Sequence, residues 1–333
     1  MKHSAEQLFR IDDVDGAVLS IIIVNWNAKP ELCACLGSLN MEAWGAAIEV
    51  IVVDNASSDD SVAVVKACFP YVHVLENSTN RGFAAANNQG MRQATGRYIL
   101  LLNPDTELRT DTLEATLTYL GRHPDVAIVG CRCIRANGEI QSTTFRYPRL
   151  SDVFINVFVP NSVMRRSKLL GRARYVGVDP GRERNVEVIA GCYMFFRRQV
   201  YDTIGGLDER FFMYGEEVDW CYRASAAGFV IRYVPHIEIT HLGGVSAAQC
   251  AEEMSLAMAR SQLLLIQKIR GTCAAYVANQ LMLWRDVTRV TVYGLVSWLP
   301  SVRRLVAKEN VSIARKRLPV YVRGLVKADW TNE

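Results

Sequence analysis

The sequence predicts an α/β fold, with a mostly parallel central sheet flanked by helices and a helical extension at the C-terminal end. Two observations predict it. Short apolar runs that end in polar loops alternate with helical patterns between residues 19 and 102, and helical patterning continues through residues 251–333. A chain of 333 residues, 50% of them apolar and 22% charged, is globular in composition and long enough for one large domain or two smaller ones.

Leu19–Val24 is an Ile-rich run that reads as a buried strand ending at Asn25-Trp26-Asn27, and Glu31–Leu39 carries a helical pattern. Val50–Val53 is a second strand that ends in Asp54-Asn55-Ala56-Ser57-Ser58-Asp59-Asp60, with Ser58 or Asp59 expected to cap a helix over Val62–Cys68. Tyr71–Leu75 gives a third strand, Ala84–Ala94 a helix, and Tyr98–Leu102 a fourth strand ending at Asn103-Pro104-Asp105. This alternation implies parallel strands joined by right-handed crossovers, with a ligand crevice just past the strand C-termini. The residues at that edge are Asn25, Trp26, Asn27, Asp54, Asn55, Asn103 and Asp105.

Beyond residue 125 the pattern changes. Val126–Gly130 is a further strand, and Ala136-Asn137-Gly138-Glu139 reads as a hairpin turn. Leu150–Arg184 lacks periodicity and is expected to be a substrate-side loop, before an apolar run over Val186–Phe196 that holds Ala190-Gly191-Cys192. Phe229–Val234 is a strand followed by His236, Glu238 and His241, with Gly243-Gly244 closing the domain. The expected organisation is a flexible lead over residues 1–17, a catalytic domain over 18–250 and a basic amphipathic helical extension over 251–333.

The net charge of +4 is unevenly distributed: residues 260–333 hold 13 Lys and Arg against 4 Asp and Glu, so residues 1–259 carry −5. Val277–Leu299 is apolar but has Arg285, Asp286 and Arg289 at its middle. Each charge costs about 2.5–3.5 kcal/mol at a bilayer centre, which argues against a spanning helix and for one lying at an anionic bilayer surface. A solvated face on a packed helical subdomain is the competing reading. Nucleic acid is excluded as a partner, because the basic residues are interleaved with aliphatic runs and not with stacking aromatics. Nine scattered cysteines form no disulfide or zinc-knuckle pattern, and they read as small core residues in a reducing cytosol.

The segment Phe211-Phe212-Met213-Tyr214-Gly215-Glu216-Glu217-Val218-Asp219-Trp220 sets three carboxylates among aromatic residues. In a helix starting near Gly215, Glu216 and Asp219 share a face and Glu217 is rotated from them by roughly 100°. Acids in a first helical turn are also favoured by the helix dipole alone.

Five motifs, Ser20–Asn27, Val52–Asp59, Asn80–Asn87, Leu102–Asp105 and this acidic segment, together resemble the inverting family 2 glycosyltransferases of the GT-A fold, particularly their rhamnosyltransferase-like branch. The resemblance covers residues 18–245. It implies a pyrimidine nucleotide-sugar donor, dTDP-linked or UDP-linked, with Asp54 accepting from the base imide and Trp26 near the base, beside Asn25, Asn27 and Asn55. Arg81 and Gly82 would meet the diphosphate at a helix start. Asn103-Pro104-Asp105 stands where the family has an Asp-x-Asp metal motif, so Asp105, with His241, would hold Mg²⁺ or Mn²⁺ although the first acid is Asn103. Gly191 would leave room for the sugar. The second acid of the acidic pair, Glu217 here, takes the place of the general base, Glu216 is the rival, and Asp219 would orient the acceptor.

The function that follows is transfer of a sugar, with dTDP-L-rhamnose as the foremost donor, onto a glycan or polyprenyl-linked acceptor for the cell envelope, at the cytoplasmic face of a membrane. UDP-galactofuranose, UDP-N-acetylglucosamine and UDP-glucose are alternative donors. A catalytically silent nucleotide-sugar-binding scaffold is the alternative of a different class, supported by Asn103.

Overall fold

The computed structural model describes residues 17–159, 163, 167, 178–243, 251–296, 303–327 and 330. The lead expected before residue 17, the glycine at 244 and most of 160–177 lie outside the described residues. The chain divides into two compact units, one from segments 1–145, 178–209 and 220–248, the other from 146–177, 210–219 and 249–333.

The first unit is a sheet with flanking helices. Strand β1 (Leu19–Asn25) is buried along its whole length, because it pairs in parallel with β2 (Ile48–Asp54) on one side and β4 (Tyr98–Leu102) on the other. That explains its unbroken apolar pattern. Helix α1 (Lys29–Ser38), with Pro30 in its first turn, buries Leu32, Cys35 and Leu36. Helix α2 (Ser61–Cys68) and strand β3 (Val72–Glu76) follow, β3 pairing in parallel with β2. Helix α2 starts without a side-chain cap at Asp60, while Asp59 Oδ1 accepts the Ser61 N–H at 3.1 Å. Helix α3 (Phe83–Gln93) leads back to β4. At the α3–β4 turn a Cβ on Gly96 would lie 2.5 Å from the Ser20 backbone nitrogen, so only glycine fits.

The strand signals past β4 were less complete. A short strand β5 (Thr106–Leu108), absent from the sequence expectation, precedes helix α4 (Thr112–Arg122). Strand β6 (Val126–Ile134) runs on to a hairpin with β7 (Ile140–Gln141), turning at Gly138 with φ +82°. After β8 (Thr144–Phe145), the segment expected to be a loop begins instead with helix α5 (Leu150–Phe158), where Asp152 Oδ2 accepts the Arg149 N–H at 3.0 Å. Nine residues are too few for a clear period against flanking Arg and Lys. β9 (Arg184–Asn185) comes next, and the apolar run after it is split into β10 (Val188–Ile189) and β11 (Tyr193–Arg197) by a turn at Ala190-Gly191-Cys192. Helix α6 (Arg198–Ile204) and helix α7 (Glu216–Ala226) lead to β12 (Val230–His241).

The order across the sheet is β3-β2-β1-β4-β11-β6-β12-β5. β11 is antiparallel to both β4 and β6, and β12 is parallel to β6. Strand β12 extends past Val234 through a register shift at Pro235-His236, where proline has no N–H to donate to the ladder. That shift carries the strand on to His241, where it pairs antiparallel with β5.

The second unit is helical: α5, α8 (Ala251–Arg270), α9 (Thr272–Val296) and α10 (Arg303–Lys327), packed on a core that includes Phe211, Leu263, Leu264, Ile266, Ala278 and Tyr321. The charges in the middle of α9 are largely internal. Asp286 is fully buried, with Arg285 Nε at 2.9 Å, Tyr321 Oη at 3.1 Å and Arg317 Nη1 at 3.7 Å. Among the described residues no helix is long and apolar enough to cross a membrane.

Candidate functional site

In the first unit the parallel strands β1, β2 and β4 end along one sheet edge, and β1 and β2 are in register at Asn25 and Asp54. Asn25 is fully buried and its Nδ2 donates to Asp54 Oδ1 at 2.9 Å, with Ser57 and Ser61 Oγ at 3.1 and 3.0 Å. Asp54 also accepts from the Ser57 N–H on Oδ2 (2.9 Å) and from the Ser57 hydroxyl on Oδ1 (2.6 Å). A carboxylate has about four acceptor sites, so Asp54 is fixed in direction and still has room for one more donor on Oδ2. Asn27 has φ +50°, which turns its amide oxygen to accept the Ser58 N–H at 2.7 Å. Trp26 is half-buried at the same loop.

Asn55 joins this loop to the next. Its backbone N–H donates to Asn25 O at 2.8 Å, its Oδ1 accepts the Arg81 N–H at 2.9 Å, and its Nδ2 donates to Asn80 Oδ1 at 2.8 Å. Gly82, at φ +82°, is the residue from which α3 starts, and the Arg81 side chain beside it is exposed. A helix start without a side-chain cap has free N–H groups and the positive end of the helix dipole.

The third part sits where β4, β11, β12 and β5 meet. Pairing of His241 with Thr106 brings His241 Nε2 to 3.1 Å from Asp105 Oδ1, both residues being buried. Burial acts against a charged imidazole, but the hydrogen bonds and negative charges of Asp105 and Cys133 outweigh it and raise His241 to about 9. Asn103 hydrogen-bonds through its backbone N–H to Cys192 O at 3.1 Å, next to Gly191, while its Oδ1 is buried without a hydrogen-bond partner. Asn103 Nδ2 lies 3.5 Å from the same Nε2 that faces Asp105, so two donors converge there. Exchanging the amide oxygen and nitrogen would point an acceptor instead. One carboxylate, one imidazole nitrogen and, with that exchange, one amide oxygen suit a divalent cation that tolerates a mixed oxygen and nitrogen set.

The acidic helix begins in the second unit. Tyr214 and Gly215 both have positive φ (67° and 95°), which turns the chain sharply into α7. The three acids have separate fates. Glu217 Oε2 accepts the Gly215 N–H at 3.0 Å and is raised above the ordinary glutamate range by burial. Glu216 is raised well above that range, by burial and then by the charge of Glu217, and its Oε2 has no hydrogen-bond partner. Asp219 is buried and its Oδ1 lies 2.5 Å from Lys268 Nζ on α8. Trp220 is core: its ring packs 4.7 Å from Phe196 and its indole N–H donates to Gly205 O at 3.0 Å.

The sequence reading passed over Lys268, Gln141 and the thiols Cys133 and Cys192. Gln141 Oε1 lies 3.1 Å from His241 Nδ1. These residues carry no motif signal, because long-range pairing brings the last three beside His241: β6 with β12 and β7 for Cys133 and Gln141, and β11 with β4 and β6 for Cys192. A pocket of about 460 Å³ lined by Tyr119, His123, Glu183 and His236 shares no residue with the set above.

Over 239 residues the chain is 26% identical to the N-acetylglucosaminyl-diphospho-decaprenol L-rhamnosyltransferase of Mycobacterium tuberculosis, covering 67% of this chain and 76% of that one. It is also 26% identical to rhamnosyltransferase WbbL of Escherichia coli, over 66% of this chain and 82% of that one. Among solved structures, the mannosyltransferase PcManGT of Pyrobaculum calidifontis, in complex with GDP-Man and Mn²⁺, superposes with a TM-score of 0.52 at 15% identity, over 95% of this chain and 91% of the other. That likeness speaks to the GT-A fold. The family model for glycosyl transferase family 2 matches residues 20–205, more than half of the chain, and the protein belongs to that family.

Proposed function

We propose that the protein is an inverting, divalent-cation-dependent glycosyltransferase that moves L-rhamnose from dTDP-rhamnose onto a hydroxyl of a glycan or polyprenyl-linked acceptor for the cell envelope, at the cytoplasmic face of a membrane. The observation that carries the reading is the cluster of Asp105, His241 and the Asn103 side-chain amide in the unit whose strand ends also hold Asp54. The rhamnosyltransferase names of the relatives support the donor, and the decaprenol in one of those names supports the acceptor class.

In this reading Asp54 accepts the N3–H of the pyrimidine, Trp26 offers an indole face to the base, and Asn25, Asn27 and Asn55 hold the two loops in place. Arg81 and the N–H groups at the start of α3, opened by Gly82, bind the diphosphate, and Gly191 leaves room for the sugar. Asn103, Asp105 and His241 would hold Mg²⁺ or Mn²⁺, which when bound supplies Lewis-acid neutralisation of charge on the leaving diphosphate. Glu217 removes the proton of the acceptor hydroxyl as the new oxygen–C1 bond forms and the C1–phosphate oxygen bond breaks. Attack from the opposite face inverts the anomeric carbon. Asp219, expected from the sequence to orient the acceptor, is paired with Lys268 and in this reading orients the acceptor through that lysine, at the first turn of α7.

Membrane contact is supported by an aromatic cluster in the helical unit. Phe154, Phe158 and Trp284 are 54%, 46% and 53% exposed, with ring centroids 4.4 Å (Phe154–Phe158) and 5.0 Å (Phe158–Trp284) apart. Aromatic side chains of this kind sit in the interfacial zone of a bilayer.

Turnover of a panel of dTDP- and UDP-sugars, with and without Mn²⁺, tests the donor. dTDP-rhamnose is expected to be used fastest and only with the cation, and a faster UDP-sugar would replace it. The Glu217→Gln variant is expected to lose on the order of 10²–10⁴-fold in kcat. In wild type kcat/KM should rise with pH through a value above the ordinary glutamate range, because the base works only when deprotonated. Glu216→Gln separates the rivals. A neutral Glu216 favours the folded state below the ordinary glutamate pKa, and this stability is lost as pH rises toward its raised folded value. The Gln variant should therefore melt higher than wild type at pH 8, converge with it near pH 4, and keep turnover. Loss of turnover in Glu216→Gln with retention in Glu217→Gln would reverse the assignment. Flotation with anionic vesicles is expected to show binding by wild type and at least ~10-fold weaker binding by Phe158→Glu/Trp284→Glu. Equal binding would remove the aromatic cluster from the interface.

A further inference from the structure

Two thiols that sugar transfer does not use lie beside His241. Cys133 Sγ, Cys192 Sγ and a ring nitrogen of His241 all lie within 4.8 Å of one another, and the three residues are 0%, 5% and 6% exposed. The sheet assembles them from three segments far apart in sequence. Cys133 is on β6, opposite Ile239 of β12 and Gln141 of β7, and Cys192 directly precedes β11, which lies between β4 and β6.

Most buried cysteines are small core residues. Cys35 and Cys131 fit that description, with burial pushing both thiols up. Cys133 and Cys192 differ from these in facing each other and the ring of His241 within one buried cluster. A metal ion binds such thiols as thiolates, releasing their protons.

We propose that Cys133, Cys192 and His241 form a binding site for a thiophilic divalent cation, Zn²⁺ or Cd²⁺, which is separate from the oxygen-rich set at Asn103 and Asp105 but shares His241 with it. Two sulfurs and one imidazole form a soft donor set, which selects Zn²⁺ or Cd²⁺ over Mg²⁺ and Mn²⁺. With metal–sulfur bonds of about 2.3 Å, tetrahedral geometry sets the sulfurs roughly 3.8 Å apart, so the existing separations need to contract by about an ångström at most. Gln141 Oε1, 3.1 Å from His241 Nδ1 and 3.6 Å from Cys133 Sγ, stands at the fourth position. The carboxylate of Asp105 on Nε2 is the usual outer partner of a metal-bound histidine. A soft ion here withdraws the imidazole from the neighbouring site and inhibits transfer. The inhibition rests on the proposed sugar-transfer reading, but the binding site does not.

The test is a Cd²⁺ titration of the full-length, metal-free protein in a Cys68→Ser/Cys273→Ser background, which removes the exposed thiols among the described residues. The readout is the ultraviolet thiolate-to-Cd²⁺ charge-transfer band. One equivalent is expected to saturate the band, and Cys133→Ala and Cys192→Ala, which keep the core apolar, should each abolish it without lowering the melting temperature by more than a few degrees. No band in the background protein, or a band that survives in the Cys133→Ala/Cys192→Ala variant, would overturn the site. If either variant unfolds, protection of both thiols from alkylation by one equivalent of Cd²⁺ in the background protein decides it, and unprotected thiols would overturn the site. Equimolar Zn²⁺ should also inhibit Mn²⁺-supported turnover in wild type and not in the cysteine variants. A Cd²⁺ band without that inhibition would overturn the sharing of His241, and absence of turnover with any donor would count against the transfer reading and not against the titration.

Discussion

The pairing of the short strand β5 with the end of β12 is the constraint on which the chemistry of the sheet edge depends. Asp105 and His241 are 136 positions apart in sequence, and the ladder that joins Thr106 to His241 sets them 3.1 Å apart in a buried setting. β12 reaches that position only because it continues through the register shift at Pro235-His236. Without the ladder the carboxylate would be a loop residue and the histidine the last residue of an edge strand. With it, burial and proximity turn two common side chains into a pair held by a shared proton, the proton that a cation at the proposed site would have to displace.

The other loops are held by a similar economy of polar contacts. Asn25 is completely buried at the end of a hydrophobic strand, a location that is unfavourable for an amide unless it is hydrogen-bonded, and its Nδ2 faces Asp54, Ser57 and Ser61 while its Oδ1 is left without a partner. Asn55 bridges the Asp54 and Arg81 loops. The loops at the sheet edge are therefore stiff where they would meet a nucleotide. In the helical unit the same physics acts on Asp286, which is buried among Arg285, Arg317 and Tyr321 and fixes the packing of α9 on α10.

Much of the first unit was legible in the sequence. β1, β2 and β4 are apolar runs bounded by Asn and Asp, and their ends fall within about two residues of the pattern because a strand buried on both faces needs uninterrupted apolar side chains. Asp54, which ends β2, and Asn103-Pro104-Asp105, just past β4, stood out for the same reason, as the polar residues that close such apolar runs. β5 was not legible, since three residues with alternating burial carry no period, and neither was α5, whose nine residues lie in an Arg- and Lys-rich neighbourhood. The split of the 186–196 run and the surroundings of His241 depend on long-range pairing, which local pattern does not report. The acids of α7 were visible as a cluster, but their differences were not: the ion pair of Asp219 with Lys268 and the isolation of Glu216 come from tertiary packing.

The central claim is that Asp105 and His241 act as one cation-binding unit. Electron paramagnetic resonance of free Mn²⁺ in the presence of a pyrimidine nucleoside diphosphate measures it directly, using wild type, Asp105→Ala, His241→Ala and the double variant. The account predicts that each single variant loses most of the bound Mn²⁺, and that the double variant loses little more than the weaker single one, because the two residues serve one ion. Wild-type Mn²⁺ binding in the double variant would contradict it.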